Sequence, residues 1–242
     1  MSISIIIPVY NESDQVNLTA KKINALAKKI NDIEIIFIDD LSTDDTFIKL
    51  ERIRNKYKRV RVYKNKKKGL GPAIEYGILK SNKENICIFM CDLSDDTRDI
   101  YKYYKCFEDD PKLDAVFGSR FTNKSKIINY PFFKLLLNRL ANNFIRILFL
   151  SDYNDYTNAF KLYKKKTLLK LFPIISENFN VFLELPLKII IRNYHYKIIP
   201  INWSGRKIGK SKFRIKEIGS MYIFTMLYCW LEKILLNKKI KK

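Results

Sequence analysis

The chain has 242 residues, with 46 Lys and Arg against 25 Asp and Glu, which gives a formal net charge of +21. A hydrophobic content of 47% is enough for a packed core and excludes a wholly disordered chain. The charge excess has two readings. It indicates polyanionic surroundings (phosphorylated substrates, nucleic acid or an anionic membrane), or it reflects a compositional bias in a sequence that is also rich in Ile and Asn.

The histidine and cysteine content excludes several kinds of catalytic site. A single histidine, His195, cannot form a zinc cluster and leaves little for a Ser-His-Asp triad. The four cysteines contain no C-x-x-C pair, so we expect buried free thiols in a reducing compartment. We see no basic leader and no apolar run of about 18 residues, and therefore expect a cytoplasmic protein without a spanning helix.

Short apolar runs alternate with helical patterns through the first half of the chain. Strands are predicted at 4–8, 34–39, 60–63 and 85–92, with helices between them. This alternation predicts an α/β fold, in which a mostly parallel sheet carries helices on both faces. Sheets of this kind bind ligands beyond the carboxyl ends of their strands.

Polar and acidic side chains follow three of the four predicted strands. Asn11 and Glu12 follow the first, Asp39 and Asp40 end the second, and Asp92 ends the fourth. A single Asp in such a place is commonly a turn former or a helix cap. Three sets at one edge of one sheet favour a binding site.

The second half of the chain is dominated by helical patterns. Residues 130–150 combine helical periodicity with aromatic residues at one end and scattered cations, whereas residues 217–236 are apolar and precede a basic tail at 238–242. Both segments fit ordinary core helices or helices that lie on a membrane surface. Docking on an anionic membrane is favoured for the C-terminal one.

Eight short motifs occur in order along the chain. They are IIIPVYNE, IDDLSTDDT, KGLGPAIEYGI, CDLSDD, FGSRF, DYTNAFKLYKKKTL, FLELPLKIIIRNYHYKIIPI and RKIGKSKF. In this order they resemble the family 2 glycosyltransferases of the GT-A (Rossmann-like) fold. The last three resemble the dolichol-phosphate mannosyltransferase-like branch, which glycosylates polyprenyl phosphates.

The resemblance implies an inverting transfer of a hexose from a GDP- or UDP-sugar to a polyprenyl phosphate, assisted by Mg²⁺ or Mn²⁺. It implies a glycosyltransferase domain over 1–215, divided into a nucleotide-sugar half at 1–122 and an acceptor half at 123–215. A basic amphipathic helix at 216–242 follows. We expect peripheral association with the inner face of the cell membrane and no nucleic-acid partner.

The resemblance assigns nucleotide binding to residues at the ends of the predicted strands. Asp92 matches the second acid of a D-x-D motif, which holds the metal, and Ser94 is a nearby metal or water ligand. Met90 stands where the first acid is expected, so we predict a working but weakened metal site. The nucleotide-binding set is Pro8, Tyr10, Glu12, Asp39, Asp40, Met90 and Asp92.

A second set is implied to bind the acceptor phosphate. Lys134 stands where an arginine is frequent, which replaces a bidentate clamp with a point charge. Four residues are expected to act in catalysis: Asp92 with three cations that stabilise the diphosphate leaving group, Arg120, Arg206 and Lys212. The acceptor-phosphate set is Arg120, Lys134, Arg206, Lys210, Ser211 and Lys212.

Other functions remain open. The alternative transferase acts on a hydroxyl of a cell-surface glycan or its lipid-linked precursor and requires a general base, for which Glu184 is a candidate, although a salt-bridged core residue is the other reading of Glu184. A polyprenyl phosphate is mostly ionised at neutral pH and needs no base. Met90 also suggests a binding protein with weakened catalysis. The charge alone permits a nucleic-acid-binding module, which the sheet-edge acids disfavour.

Overall fold

The computed structural model describes residues 1–206 and 215–240. The strands are β1 Ile3–Val9, β2 Ile33–Asp39, β3 Val60–Lys64, β4 Asn85–Ile88, β5 Ala115–Ser119, β6 Ile127–Ile128, β7 Lys161–Lys164, β8 Tyr196–Pro200 and β9 Trp203–Ser204. The α-helices are α1 Val16–Asn24, α2 Thr46–Lys56, α3 Leu70–Lys80, α4 Arg98–Asp109, α5 Phe132–Phe149, α6 Lys165–Lys170, α7 Val181–Ile191 and α8 Ile215–Ile240.

Seven of the strands form one sheet in the order β3-β2-β1-β4-β7-β5-β8. Strands β1 to β4 pair in parallel, as do β5 and β8, whereas β7 runs antiparallel to both of its neighbours. A small parallel pair, β6 and β9, lies outside this sheet. The predicted mostly parallel α/β sheet is confirmed.

Alternate side chains of β1 enter two different cores. Ile5 and Ile7 pack in a cluster with residues of α1, α2 and α4, whereas Ile6 packs on the opposite face with residues of α3 and α7. Gly77 brings α3 against the sheet, since a Cβ there would lie 2.5 Å from Cγ2 of Ile6. Because β1 is buried on both faces, it reads as a continuous apolar run rather than an alternating one.

The fourth strand is shorter than the sequence predicts. Pairing of β1 with β4 ends at Ile6 and Ile88, so Met90 and Asp92 lie beyond the strand. Pro8 has no N–H to offer to a strand ladder. The two central strands therefore stop pairing before β1 ends.

The two long helices of the second half form close to their predicted limits. The segment at 130–150 becomes α5, and the segment at 217–236 lies within α8. Helix α8 packs on α7: the Asn180 amide donates to the Thr225 hydroxyl at 3.0 Å, and Arg192 pairs with Glu232 at 2.6 Å. Within the described ranges, every helix is too short or too polar to cross a bilayer. All four cysteines are free and buried, as predicted.

Candidate active site at the carboxyl edge of the sheet

The strand order reverses between the two central strands of the sheet. Strands β2 and β3 lie on one side of β1, whereas β7, β5 and β8 lie beyond β4. Such a reversal opens a crevice at the carboxyl ends of the strands, where α/β sheets bind ligands. Glu12 follows β1 and Asp92 follows β4, so both lie at this crevice.

Three turns at this edge use left-handed backbone. Asn11, Leu41 and Leu93 have φ values of 49°, 59° and 54°. Residues other than glycine rarely adopt this conformation, and such strained positions cluster at functional sites. Each of these residues lies beside one of the predicted acids: Glu12, Asp40 or Asp92.

Arg206 joins the ends of the two central strands. Its guanidinium pairs with Oε1 of Glu12 at 2.6 Å, and its Nε lies 3.6 Å from Oδ2 of Asp92. The three side chains are 16%, 12% and 22% exposed, so this cluster is largely shielded but open to a ligand. The structure thus brings together one predicted nucleotide-binding residue, the predicted metal ligand and one predicted acceptor cation.

The turn after Asp92 is fixed by hydrogen bonds. The Ser94 amide donates to Oδ1 of Asp92 at 3.0 Å, and the Ser94 carbonyl accepts from the Ser204 amide at 2.9 Å. The second bond holds β9 beside this turn and so places Arg206, two residues further on. Asp95, also in the turn, is buried, and burial raises its pKa to about 8, with Asp92 raising it further and Arg120 opposing.

The carboxylates that end β2 have different surroundings. Asp40 accepts hydrogen bonds from the Asn65 amide at 2.7 Å and from the Gly69 backbone amide at 2.9 Å. Burial raises the pKa of Asp40, and the hydrogen bonds from Asn65 and Gly69 oppose that effect. Asp39 is fully buried; its Oδ2 accepts from the Ser42 amide at 3.3 Å, but its Oδ1 meets no donor within the described residues.

Glu184 lies behind the glycine loop rather than in the crevice. It is fully buried, pairs with Lys188 at 2.6 Å, and accepts from the backbone amides of Ile175 and Ser176 at 3.0 and 2.8 Å. The segment it holds packs on Gly71, where a Cβ would lie 1.7 Å from the Ser176 carbonyl oxygen. Of the two sequence-based readings of Glu184, the salt-bridged core residue is the one observed.

The other predicted nucleotide-binding residues surround the crevice. Pro8 is buried within β1, and the ring of Tyr10 lies 5.1 Å beneath Nζ of Lys68. Met90 is half-buried and packs against the core on the α3 and α7 face. Because β4 ends at Ile88, the alternation that predicted Met90 and Asp92 on one face of a strand does not apply.

Arg120 is held by an internal partner. Its guanidinium donates to both carboxylate oxygens of Asp155 at 2.8 and 2.6 Å, and both side chains are buried. Burial lowers the pKa of Arg120, but the Asp155 charge outweighs it and raises that pKa overall. The rings of Phe121, Tyr130 and Trp203 also lie around this guanidinium. Arg120 thus orders the acceptor side of the edge, whether or not it also contacts phosphate.

The remaining acceptor residues are less defined by contacts. Lys134 lies in the first turn of α5 and is half-buried. Lys210, Ser211 and Lys212 lie outside the described residues.

The donor atoms at Asp92 fit a divalent cation that is shared with a ligand. In the part of the chain that the structure describes, no three acidic, cysteine or histidine side chains cluster as a metal site. Asp92 offers one partly exposed carboxylate, with Ser94 beside it. Mg²⁺ often binds one or two carboxylates and completes its coordination with substrate phosphates and water. The chemistry therefore fits a cation bound together with a diphosphate.

A comparison with known families identifies the chain's relatives. The sequence model of glycosyl transferase family 2 matches residues 4–172. The chain belongs to this family. The matched range contains β1 to β4, the crevice acids and the Arg120–Asp155 pair.

Two curated relatives carry names from the predicted branch. The chain is 27% identical over 224 residues to a dolichol-phosphate mannosyltransferase of Pyrococcus furiosus, a match that covers 90% of this chain and 61% of that protein. It is 25% identical over 215 residues to a polyprenol monophosphomannose synthase of Mycolicibacterium smegmatis, covering 86% of this chain and 79% of that protein. The predicted branch of the family is confirmed by these relatives, although the chain spans less than two thirds of the Pyrococcus protein.

Solved structures with the same fold include a glucosyl-3-phosphoglycerate synthase of Mycobacterium tuberculosis. Its complex with Mn²⁺, uridine diphosphate and glucosyl-3-phosphoglycerate superimposes with a TM-score of 0.72 at 17% identity, over 94% of this chain and 79% of that one. A complex of the same enzyme with Mg²⁺ and uridine diphosphate gives a TM-score of 0.71 at 16% identity, over 94% of this chain and 79% of that one. These likenesses confirm the GT-A fold.

In this family 2 chain, sequence reasoning missed two residues that organise the edge. Asn65 positions Asp40, and Asp155 holds Arg120. Asn65 follows β3 directly, so the rule that strand ends carry the site would have found it. Asp155 lies in an irregular segment of the second half, and no local pattern distinguishes it.

Proposed function

We propose that this chain is an inverting glycosyltransferase that moves a hexose from a GDP- or UDP-sugar to a polyprenyl phosphate at the inner face of the cell membrane. The observation that carries the proposal is the Glu12–Arg206–Asp92 cluster, in which a guanidinium links the ends of both central strands at the crevice. The names of the two curated relatives support the acceptor class.

The donor nucleotide fits the side of the crevice beyond β1 and β2. Oδ1 of Asp39 is a buried acceptor that lacks a donor within the described residues, and a base N–H or a ribose hydroxyl would supply one. Asp40 holds the Gly69 loop in place, and Tyr10 offers a ring face beside it. The division into a nucleotide half at 1–122 and an acceptor half at 123–215 stays part of the proposal.

The leaving group is the nucleoside diphosphate, on which negative charge develops. Asp92 and Ser94 are the residues that would hold a divalent cation, and when bound that cation supplies positive charge to the diphosphate oxygens. Arg206 supplies a second positive charge in the same cluster. With a ligand bound, Arg206 can exchange Asp92 for a phosphate group, because guanidinium binds both in the same bidentate way.

The acceptor needs no proton removed. An oxygen of the lipid phosphate forms the new bond to the anomeric carbon, the bond from that carbon to the diphosphate breaks, and the configuration inverts. A hydroxyl acceptor would require a general base, and Glu184 is fully buried in an ion pair with Lys188. This burial favours the phosphate acceptor over the glycan hydroxyl.

A matched pair of acceptors tests the proposal. The chain is incubated with radiolabelled GDP- or UDP-hexoses, Mn²⁺ or Mg²⁺, and either a polyprenyl phosphate or the corresponding polyprenol. We expect labelled lipid only with the phosphate, and release of free sugar from that lipid in mild acid. Transfer to the polyprenol, or a product stable to mild acid, would instead support the hydroxyl-acceptor alternative.

A further inference from the structure

Helix α5 exposes an outward row of large apolar side chains. Leu137, Leu140 and Phe144 are 56%, 57% and 57% exposed, at a spacing of three and four residues that places them on one helix face. The inner side of the helix packs on the core through Ile145 and Phe149. The full set of exposed apolar residues along and just after α5 is Phe132, Phe133, Leu136, Leu137, Leu140, Phe144, Ile147 and Leu150.

Helix α8 carries a second row of the same kind. Phe224, Leu227 and Leu231 are 63%, 54% and 55% exposed and again follow a spacing of three and four residues. Cys229 lies on the opposite side of the helix and is fully buried. The full set is Met221, Ile223, Phe224, Leu227, Trp230, Leu231 and Leu235.

The two helices are neighbours and share one core. Nζ of Lys233 on α8 donates to the carbonyl of Phe149 at the end of α5, at 2.7 Å. Tyr222, near the start of α8, is close enough to Tyr130 for the two to interact electrostatically. Cys229 and Phe149 belong to the same buried cluster, so the outer sides of both helices point away from it. We call these two outer sides the α5–α8 surface.

The charges around this surface indicate which partner it fits. Helix α5 contains Lys134, Arg139 and Arg146 but no acidic residue, and Glu232 of α8 is neutralised by Arg192. Apolar rows with aromatic residues and flanking cations are typical of helices that lie in the interface of an anionic bilayer. A second copy of the chain would place these cations against one another, which is unfavourable.

We propose that the α5–α8 surface inserts into the interface of an anionic bilayer, and that α5 contributes to this as much as the C-terminal helix. The surface begins beside the site, because Tyr130 precedes α5 and its ring lies 6.0 Å from the Arg120 guanidinium. This position would bring a lipid headgroup phosphate to the acceptor side of the crevice. The proposal rests on exposure and charge, and does not depend on which reaction the crevice performs.

The test measures binding of the full chain to vesicles that contain phosphatidylglycerol and phosphatidylcholine, without polyprenyl phosphate or nucleotide sugar. In the variant, Leu137→Gln, Leu140→Gln and Phe144→Gln are combined; these side chains are exposed, so the fold should be retained. Since each apolar side chain lost from the bilayer weakens binding, we expect the vesicle partition coefficient to fall by about tenfold or more.

A matched control removes exposed apolar side chains elsewhere. Ile48→Gln with Leu79→Gln changes residues of α2 and α3 that are 53% and 56% exposed, and should leave vesicle binding unchanged. Equal binding by the α5 variant and this control would overturn the proposal. So would loss of a stable dimer in the α5 variant, by light scattering, with vesicle binding unaltered, because the surface would then be an interface between copies.

Tryptophan fluorescence gives a second readout that does not need the triple variant. Trp203→Phe leaves Trp230 as the sole tryptophan, on the exposed side of α8. With anionic vesicles we expect a blue shift of its emission and quenching by lipids brominated near the headgroup end of the chain. Emission that does not change at saturating vesicle concentration would contradict insertion.

Discussion

The crevice and the α5–α8 surface stabilise their side chains in opposite ways. At the crevice, charged groups are satisfied inside the chain: Glu12 by Arg206, and Arg120 by Asp155. On the α5–α8 surface, large apolar groups such as Phe133 stay 79% exposed. The first region is prearranged for charged ligands, whereas the second has a form that only an apolar environment outside the chain would complete. Substitutions in the first should therefore change folding or chemistry, and those in the second should change docking alone.

The largest expected effect is on stability and comes from Asp155→Ala. The substitution leaves the Arg120 guanidinium buried without its carboxylate, which typically costs about 3–5 kcal/mol. Urea denaturation measures the loss in the free energy of unfolding. The double variant Asp155→Ala with Arg120→Met removes both charges and should recover much of the stability. A loss below about 1 kcal/mol in the single variant would mean that the pair does not organise this edge.

Arg206→Ala should lower the rate of transfer to polyprenyl phosphate by about a hundredfold, which corresponds to about 2.7 kcal/mol. The substitution removes a positive charge that lies beside Asp92. Donor affinity, measured by calorimetry, should stay within a few-fold, and Arg206→Lys should retain part of the rate. A collapse of donor affinity with unchanged acceptor kinetics would reverse the assigned roles. Vesicle binding should not change, which separates the crevice from the α5–α8 surface.

Met90→Asp should tighten metal-dependent donor binding about ten- to a hundredfold. A charged hydrogen bond or an added anionic ligand is worth about 1.5–3 kcal/mol. Because Met90 packs against the core, some stability should be lost at the same time. Met90→Leu keeps the apolar contact and should bind the donor as the parent chain does. Calorimetry that finds no difference between Met90→Asp and Met90→Leu would show that position 90 does not face the donor.

Lys161 should give stability a measurable pH dependence. Its Nζ donates to the carbonyls of Tyr156 and Phe182 inside the fold, and burial lowers its pKa to about 7, with Asp155 and Asp95 opposing and Arg120 adding to the effect. The unfolded lysine keeps its proton to about pH 10.4. Above pH 7 the unfolded chain therefore binds more protons at this residue, and stability rises with pH.

The smallest predicted effect is the removal of this slope in Lys161→Met. Between pH 7 and about 8.5, below the range in which unfolded thiols ionise, the parent chain should gain about 1–2 kcal/mol relative to the variant. Denaturation at several pH values measures that difference. A difference that stays constant across this range would mean that Lys161 is charged or neutral throughout.

The sequence predicts the sheet well where local pattern determines structure. Strands β1, β2 and β3 form within two residues of their predicted limits, because a strand buried on both faces is a continuous apolar run. Strand β4 is overestimated, since the residues after Ile88 remain apolar although pairing with β1 has ended. Apolar pattern reports burial and does not report where a ladder stops.

The contacts that build the site are mostly beyond the reach of local pattern. Arg206 and Glu12 are 194 residues apart, and Arg120 and Asp155 are 35 apart. The family motifs nominated Glu12, Asp92 and Arg206, but only the fold places them in one cluster. For 130–150, periodicity fits a core helix and a surface helix equally well; the 57% exposure of Phe144 decides that its outer face is uncovered.

The central claim is that Asp92, at the crevice between β1 and β4, holds a metal-bound nucleotide donor. Calorimetry of nucleotide sugars with Mn²⁺ tests it on the parent chain and on Asp92→Asn, which keeps the shape of the side chain and removes its charge. We expect Mn²⁺-dependent binding by the parent chain and none by the variant. Unchanged Mn²⁺-dependent binding in Asp92→Asn would contradict the claim and leave the segment after β4 as a polar turn.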